Sequence, residues 1–339
     1  MKTTLKPLRE QVIVITGASS GIGLRTAEEA ASYGARVVLA ARNETDLSKA
    51  VRRIRDAGGR AIYRMCDVSD LVQVEALAKQ AIAEFGRIDT WVNCAAVAIY
   101  GTWLEVSLED ARRQFDVNYW GVVHGTLTAV RGMFQHGGSV INVASALADR
   151  AIPLQGNYSA SKFAVKAFTE SLRMELETEG IPVFLTLVKP GSVDTPLFAK
   201  AKTYMGVEPQ PIPPVYSPHV VVEAILAAAA RPMRDIVAGG MGKVTSLSEK
   251  LVPRLTDRYM ERTTFDSQKT NIRASVDRPT NLYEPLDYDG GERGAYGGRV
   301  RKWSAYTEAI LHPRATAGIL AGIGMALVAG ARRLRRDKD

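Results

Sequence analysis

Tyr158 and Lys162 stand four residues apart in the segment YSASK, ahead of Val165, Phe168, Leu172 and Leu176, which recur at helical spacing. On a helix the two side chains share one face. A phenol ordinarily titrates at about 10, and a neighbouring ammonium favours its phenolate. The spacing therefore predicts a phenol whose pKa is pulled down until its proton exchanges near neutral pH. Interconversion of a carbonyl and an alcohol requires such an exchange. Lysine, with three donors, can also hold ribose hydroxyls. Ser145 closes the apolar run SVINVAS, thirteen residues before the tyrosine. A hydroxyl at the carboxyl end of a strand can donate to a substrate oxygen and stabilise its developing charge. Asn118, in FDVNYWG, lies in the preceding helical stretch, where its amide can hold a water that relays protons to Lys162.

These residues need elements to position them. Short β-branched runs at Val12–Ile15, Arg36–Ala40, Ala61–Met65, Thr90–Asn93, Ser139–Val143, Val183–Val188 and Ile236–Ala238 alternate with amphipathic helical stretches. Continuous apolar runs suit strands buried on both faces, and the intervening helices supply the crossovers of a parallel sheet. Ser217-Pro218 reads as a helix start, an N-cap followed by proline at the first position. The pattern predicts an α/β fold, a doubly wound parallel sheet with helices on both faces.

The first strand runs into TGASSGIG, Thr16 to Gly23, and then into a helix ending at Gly34. Glycines let the backbone approach a pyrophosphate, and the free N–H groups of a helix's first turn favour anions. This predicts a dinucleotide phosphate site at Thr16, Gly17, Ser19, Ser20, Gly21, Ile22 and Gly23. The second strand ends in Ala40-Ala41-Arg42. Ala41 leaves empty the place where an acidic side chain would hold a ribose 2′-hydroxyl, and Arg42 offers a planar fork to a 2′-phosphate. The expected cofactor is NADP(H).

The spacing G-x-x-x-G-x-G, joined to YxxxK, resembles the short-chain dehydrogenase/reductase family in its TGxxxGIG branch. The resemblance covers residues 8 to about 240. It implies a Rossmann-like catalytic domain and an Asn118–Ser145–Tyr158–Lys162 tetrad. It further implies that Asp67, with Val68 beside it, meets the adenine edge, and that Asn93, with Ala95, lies near the adenosine ribose. The family usually reads NNAG where this chain reads NCAA. In KPGSVDTP, the resemblance assigns nicotinamide contacts to the Pro190-Gly191 backbone, Val193 and Thr195. The following stretch to Tyr216 takes the place of the family's substrate loop, and its apolar content points to a hydrophobic substrate. The expected activity is hydride transfer between NADPH and a carbonyl or secondary alcohol. A non-catalytic NADP-binding sensor or scaffold is the alternative, which the complete tetrad disfavours.

Composition narrows the remaining classes. The chain has 339 residues, 46% hydrophobic and 24% charged, an ordinary globular balance. Cys66 and Cys94 form no CxxC pair and the four histidines no HxxxH, so neither a disulfide scaffold nor a metal site is expected. The net charge is +8, but +6 of it falls from Arg299 onward, which disfavours nucleic-acid binding by the body. No apolar run long enough for a signal peptide precedes the first strand. The reading divides the chain into a catalytic domain (1–240), an extension and linker (241–302), and a C-terminal part (303–339) holding a helix, an apolar segment and a basic tail. The apolar run 315–331 is at the short limit of a membrane span. Its flanking arginines predict attachment of a cytoplasmic enzyme to the membrane, spanning or interfacial. Self-association into a homo-oligomer is compatible with the chain.

Overall fold

The computed structural model describes residues 4–240, 251–275, 277–287, 291–318 and 321. Seven strands form one parallel sheet: β1 (Val12–Thr16), β2 (Arg36–Ala41), β3 (Arg60–Met65), β4 (Thr90–Asn93), β5 (Gly138–Val143), β6 (Val183–Pro190) and β7 (Asp235–Ala238). Their spatial order is β7-β6-β5-β4-β1-β2-β3. Each expected strand lies within a residue or two of its place, because runs such as VIVIT can bury both faces at once.

Side-chain alternation divides the core between the two faces. Along β1, Ile13 and Ile15 join one apolar cluster, and Val12 and Val14 the other. The first face is covered by α1 (Gly21–Ser32), α2 (Glu44–Asp56) and α7 (Pro218–Ala230). The second is covered by α3 (Leu71–Phe85), α5 (Gly121–Met133) and α6 (Gly156–Thr178). Each fully buried Val, Leu or Ile stabilises by about 1.5–3 kcal/mol, so the two layers hold the sheet ends rigidly. Ser217 caps α7 as its sequence predicts, accepting from His219 N, with Pro218 in the first turn. A short helix, α4 (Leu108–Phe115), leads into α5 through a π-helical turn at Asp116–Trp120.

The stretch after residue 250 is built into this domain. It contributes α8 (Pro253–Ser267) and α9 (Ala305–Leu311). Lys269–Arg273 pairs antiparallel with Val207–Pro209, and Val300–Arg301 pairs parallel with Val215–Tyr216. Leu282 and Leu311 are buried, one in each core cluster. The glycine-rich segment expected as a linker is likewise tied down from Gly291 onward: Gly21 N donates to Gly291 O and Arg293 pairs with Asp194. Among the described residues no helix is long and apolar enough to cross a membrane. Most of the apolar run 315–331 lies outside the described residues.

Candidate active site

Strand order reverses at β1 and β4, and a doubly wound sheet binds ligands in the crevice at the carboxyl ends there. A cavity of about 550 Å³ opens at that place. Of the residues singled out in the sequence, Gly17, Ser19, Ser20, Ile22, Gly23, Arg42, Asp67, Val68, Ala95, Ser145, Tyr158, Lys162, Pro190, Gly191, Val193 and Thr195 line it. Thr16, Gly21, Asn93 and Asn118 do not.

The turn after β1 is shaped by close approach. A Cβ at Gly17, whose φ is +69°, would stand 2.7 Å from Ala95 Cα, and one at Gly23 would stand 2.3 Å from Gly17 O. Only glycine fits either position. Thr16 serves the turn from behind, its hydroxyl accepting from Cys94 N and Ala95 N at 3.2 and 3.4 Å. The Gly21 amide is already donated to Gly291 O at 2.8 Å, so it is not open to an anion.

At the end expected to take adenosine, Arg42 Nη1 donates to Tyr283 O at 2.6 Å and Nη2 to Asn281 O. Asn43 donates to Leu286 O at 2.6 Å. Burial lowers the Arg42 pKa, against the pull of nearby Asp67. Arg113 reaches across to Asp67 at 2.6 Å and also donates to Leu282 O at 3.1 Å. Burial raises the Asp67 carboxyl, but hydrogen bonds from Arg113 and Ser69 outweigh it and leave the group below its ordinary value. Asn281, Pro285 and Leu286 therefore wall this end, none of them visible as site residues in the sequence. Asn93 is turned away. Its buried amide bonds Asn142 at 2.8 Å and Thr126 at 3.0 Å and accepts from Trp91 at 2.9 Å. Strand alternation aims it at α5, where it pins β4 to β5.

Ser145 follows β5 and caps the 3-10 turn Ala146–Ala148. Tyr158 lies in the first turn of α6, on the same cavity wall as Ser145. Lys162 Nζ sits 5.6 Å from the centroid of the Tyr158 ring and donates to Val143 O at 3.1 Å. Two expectations change here. Burial pushes the Tyr158 phenol well up, only partly offset by Ser145, where the sequence predicts a depressed value. The burial penalty falls on lysine too, and brings Lys162 down to about 8. The Asn118 amide is fully buried, off the cavity wall and engaged by protein groups. Oδ1 accepts from Val97 N at 2.9 Å, and Nδ2 donates to Val97 O at 3.0 Å and Ser161 Oγ at 3.3 Å. Its amide instead fastens the chain after β4 to α6 from within the π-helical turn. Cys94, one of the departures in NCAA, lines the cavity, and burial pushes its thiol up to about 12.

An ion triad fixes the Ser145 loop. Asp149 accepts from Lys166 of α6 at 2.6 Å and from Lys189 of β6 at 2.7 Å. The three segments that carry Ser145, Tyr158 and Pro190 are thus fastened to one carboxylate. In the loop after β6, Gly191 N is donated to Ala238 O and Asp194 N to Tyr216 O, both at 2.9 Å. Those amides are spent on β7 and on the substrate loop, so the Gly191 N–H is not open to nicotinamide. Among the described residues, no group of three or more His, Cys, Asp or Glu could hold a metal ion.

The short chain dehydrogenase family model matches residues 11–205. An uncharacterized oxidoreductase of Bacillus subtilis (strain 168), YxnA, is 44% identical over 330 residues, covering 95% of this chain and 91% of that protein. A solved short chain dehydrogenase/reductase from Burkholderia phymatum, in complex with NAD, is 30% identical with a TM-score of 0.65. The match covers 72% of this chain and 94% of that one. An alcohol dehydrogenase from the archaeon Thermococcus sibiricus, complexed with 5-hydroxy-NADP, is 25% identical with a TM-score of 0.59 over 67% of this chain and 95% of that one. The chain therefore belongs to the short-chain dehydrogenase/reductase family and is an oxidoreductase of that type.

Proposed function

We propose that this protein is an NADP(H)-dependent oxidoreductase that interconverts a hydrophobic carbonyl compound and the corresponding secondary alcohol. The observation that carries the reading is the gathering of Ser145, Tyr158 and Lys162 on one cavity wall, with Lys162 Nζ 5.6 Å from the centroid of the Tyr158 ring. The glycine turn fits a pyrophosphate, since a Cβ at Gly17 or Gly23 would fill the cradle. Arg42 beside Ala41 suits a 2′-phosphate. When bound, the nicotinamide supplies a hydride to the carbonyl carbon in reduction and takes it back in oxidation.

The protein's own groups handle the oxygen. Ser145 donates to the carbonyl oxygen and orients it. Tyr158, kept protonated by burial, gives its proton to the same oxygen as the negative charge develops there. Lys162, charged below about pH 8, stabilises the phenolate left behind and holds the ribose hydroxyls. The decisive experiment follows NADPH and NADH oxidation against a carbonyl panel, with the wild type beside Tyr158→Phe. Turnover by the wild type and a loss of about 10²–10⁴-fold in the variant, with NADP still bound, is the expected result. Near-normal kcat in the variant removes the assignment.

We also place attachment to a membrane surface in the apolar run 315–331 and its basic flanks, supported by their composition.

A further inference from the structure

Helix α8 lies outside the part of the chain that matches the family, yet it covers the loop between Ser145 and Tyr158. Four contacts place it there. Arg150 is ion-paired with Asp257, and its Nε lies 3.4 Å from Met260 Sδ. Gln155, next to α6, donates to Gln268 Oε1 at 2.7 Å, and Gln268 donates to Pro153 O at 3.0 Å. The helix thus runs along the loop, and Tyr259 and Met260 join the cavity wall. On the other side, Tyr158 packs in a cluster with Leu147, Leu197 and Phe198.

The threonine hydroxyls of this wall are already engaged. The Thr263 and Thr264 hydroxyls donate back to Tyr259 O and Met260 O at 2.8 and 2.6 Å. Arg150 is the cation in contact with α8, and Asp257 of that helix is paired with it. A carboxylate or ammonium brought here would lose its water shell against apolar side chains and a paired charge. An uncharged body loses nothing of that kind and gains from burial.

We propose that α8 is a substrate-recognition element and that it selects an uncharged, predominantly apolar ketone, aldehyde or secondary alcohol, an inference that rests on the carbonyl-reductase reading of the site. The test uses the full chain and NADPH with a series of methyl ketones of increasing length, and with ketones of the same length ending in a carboxylate or an ammonium. The value of kcat/KM is expected to rise roughly fourfold per added methylene until the wall is filled. The charged analogues should fall at least tenfold below their neutral matches. Met260→Asp, with folding checked by thermal unfolding, should flatten the length dependence and shift preference toward the ammonium analogue, whereas Met260→Leu should keep the wild-type pattern. Equal turnover of charged and neutral ketones, or an unchanged length dependence in folded Met260→Asp, overturns the role of α8 while the reductase reading stands. If no ketone of either series is reduced, the reductase reading falls and this inference with it.

Discussion

Arg42 and Asn281 are 239 residues apart and meet as guanidinium and main-chain carbonyl, with Tyr283 O on the other arm of the fork. The residue expected to read a 2′-phosphate thus already holds a strap of the extension across the end of the cavity. Both carbonyls are neutral acceptors. A phosphate dianion makes stronger, charge-assisted bonds to the same fork and can take it from them.

Arg42→Ala should therefore weaken NADP binding more than tenfold and spare NAD, from a loss on the order of 1.5–3 kcal/mol. Titration calorimetry with both cofactors checks it. Equal weakening of the two would mean that Arg42 serves the strap alone.

Lys162 sets an alkaline limit on activity. Burial brings its pKa down to about 8, so the amine is charged below that pH and neutral above it. With the charge gone, the phenolate loses its partner. The pH profile of kcat/KM for the cofactor, which reports the free enzyme, should fall on the alkaline side with a midpoint near 8. A profile flat to pH 10 would contradict it.

Asp149 should matter for stability more than its distance from the cavity suggests. Asp149→Ala leaves two lysines without their shared partner, and breaking a buried pair costs about 3–5 kcal/mol. Burial raises the carboxyl, but Lys166 and Lys189 outweigh it and hold it below its ordinary value. Its contribution is therefore complete above the ordinary carboxylate range of about 4 and is lost as pH falls through the lower folded value. Urea unfolding across that range should show a shallower acid loss in Asp149→Ala than in the wild type. Parallel losses would place the triad outside the folding energetics.

The tail can be tested by fractionation. The full chain should sediment with membranes after a high-salt wash, and a version ending at Pro313 should not. Equal behaviour of the two in the absence of detergent would make the tail a packing or oligomer element.

The large sheet is legible in the sequence because its strands are continuous apolar runs, and most of the site because TGASSGIG and YSASK sit where those strands end. Three things escape a one-dimensional reading. Motifs name residues but not side-chain directions: Asn93 and Asn118 occupy motif positions, yet their amides hold β4 and its following loop in place. Burial decides the sign of a pKa shift, and the Tyr158–Lys162 spacing carries no information about it. The extension binds through main-chain carbonyls, as at Asn281, Leu282 and Tyr283, with Leu282 fully buried among polar neighbours in sequence. No period marks such a segment.

The pairing of Val215–Tyr216 with Val300–Arg301, and of Val207–Pro209 with Lys269–Arg273, also fixes an order of events during synthesis. The strands that pair with Val207–Pro209 and Val215–Tyr216 leave the ribosome after the glycine turn, Ser145, Tyr158 and Lys162 have been synthesised. At about 5–20 residues per second, the sheet has some seconds in which to form while Val207–Pro209 and Val215–Tyr216 still lack partners. Until the extension emerges, Val207–Pro209 and Val215–Tyr216 are without the strands that pair with them in the finished fold, and the two core clusters are without Leu282 and Leu311.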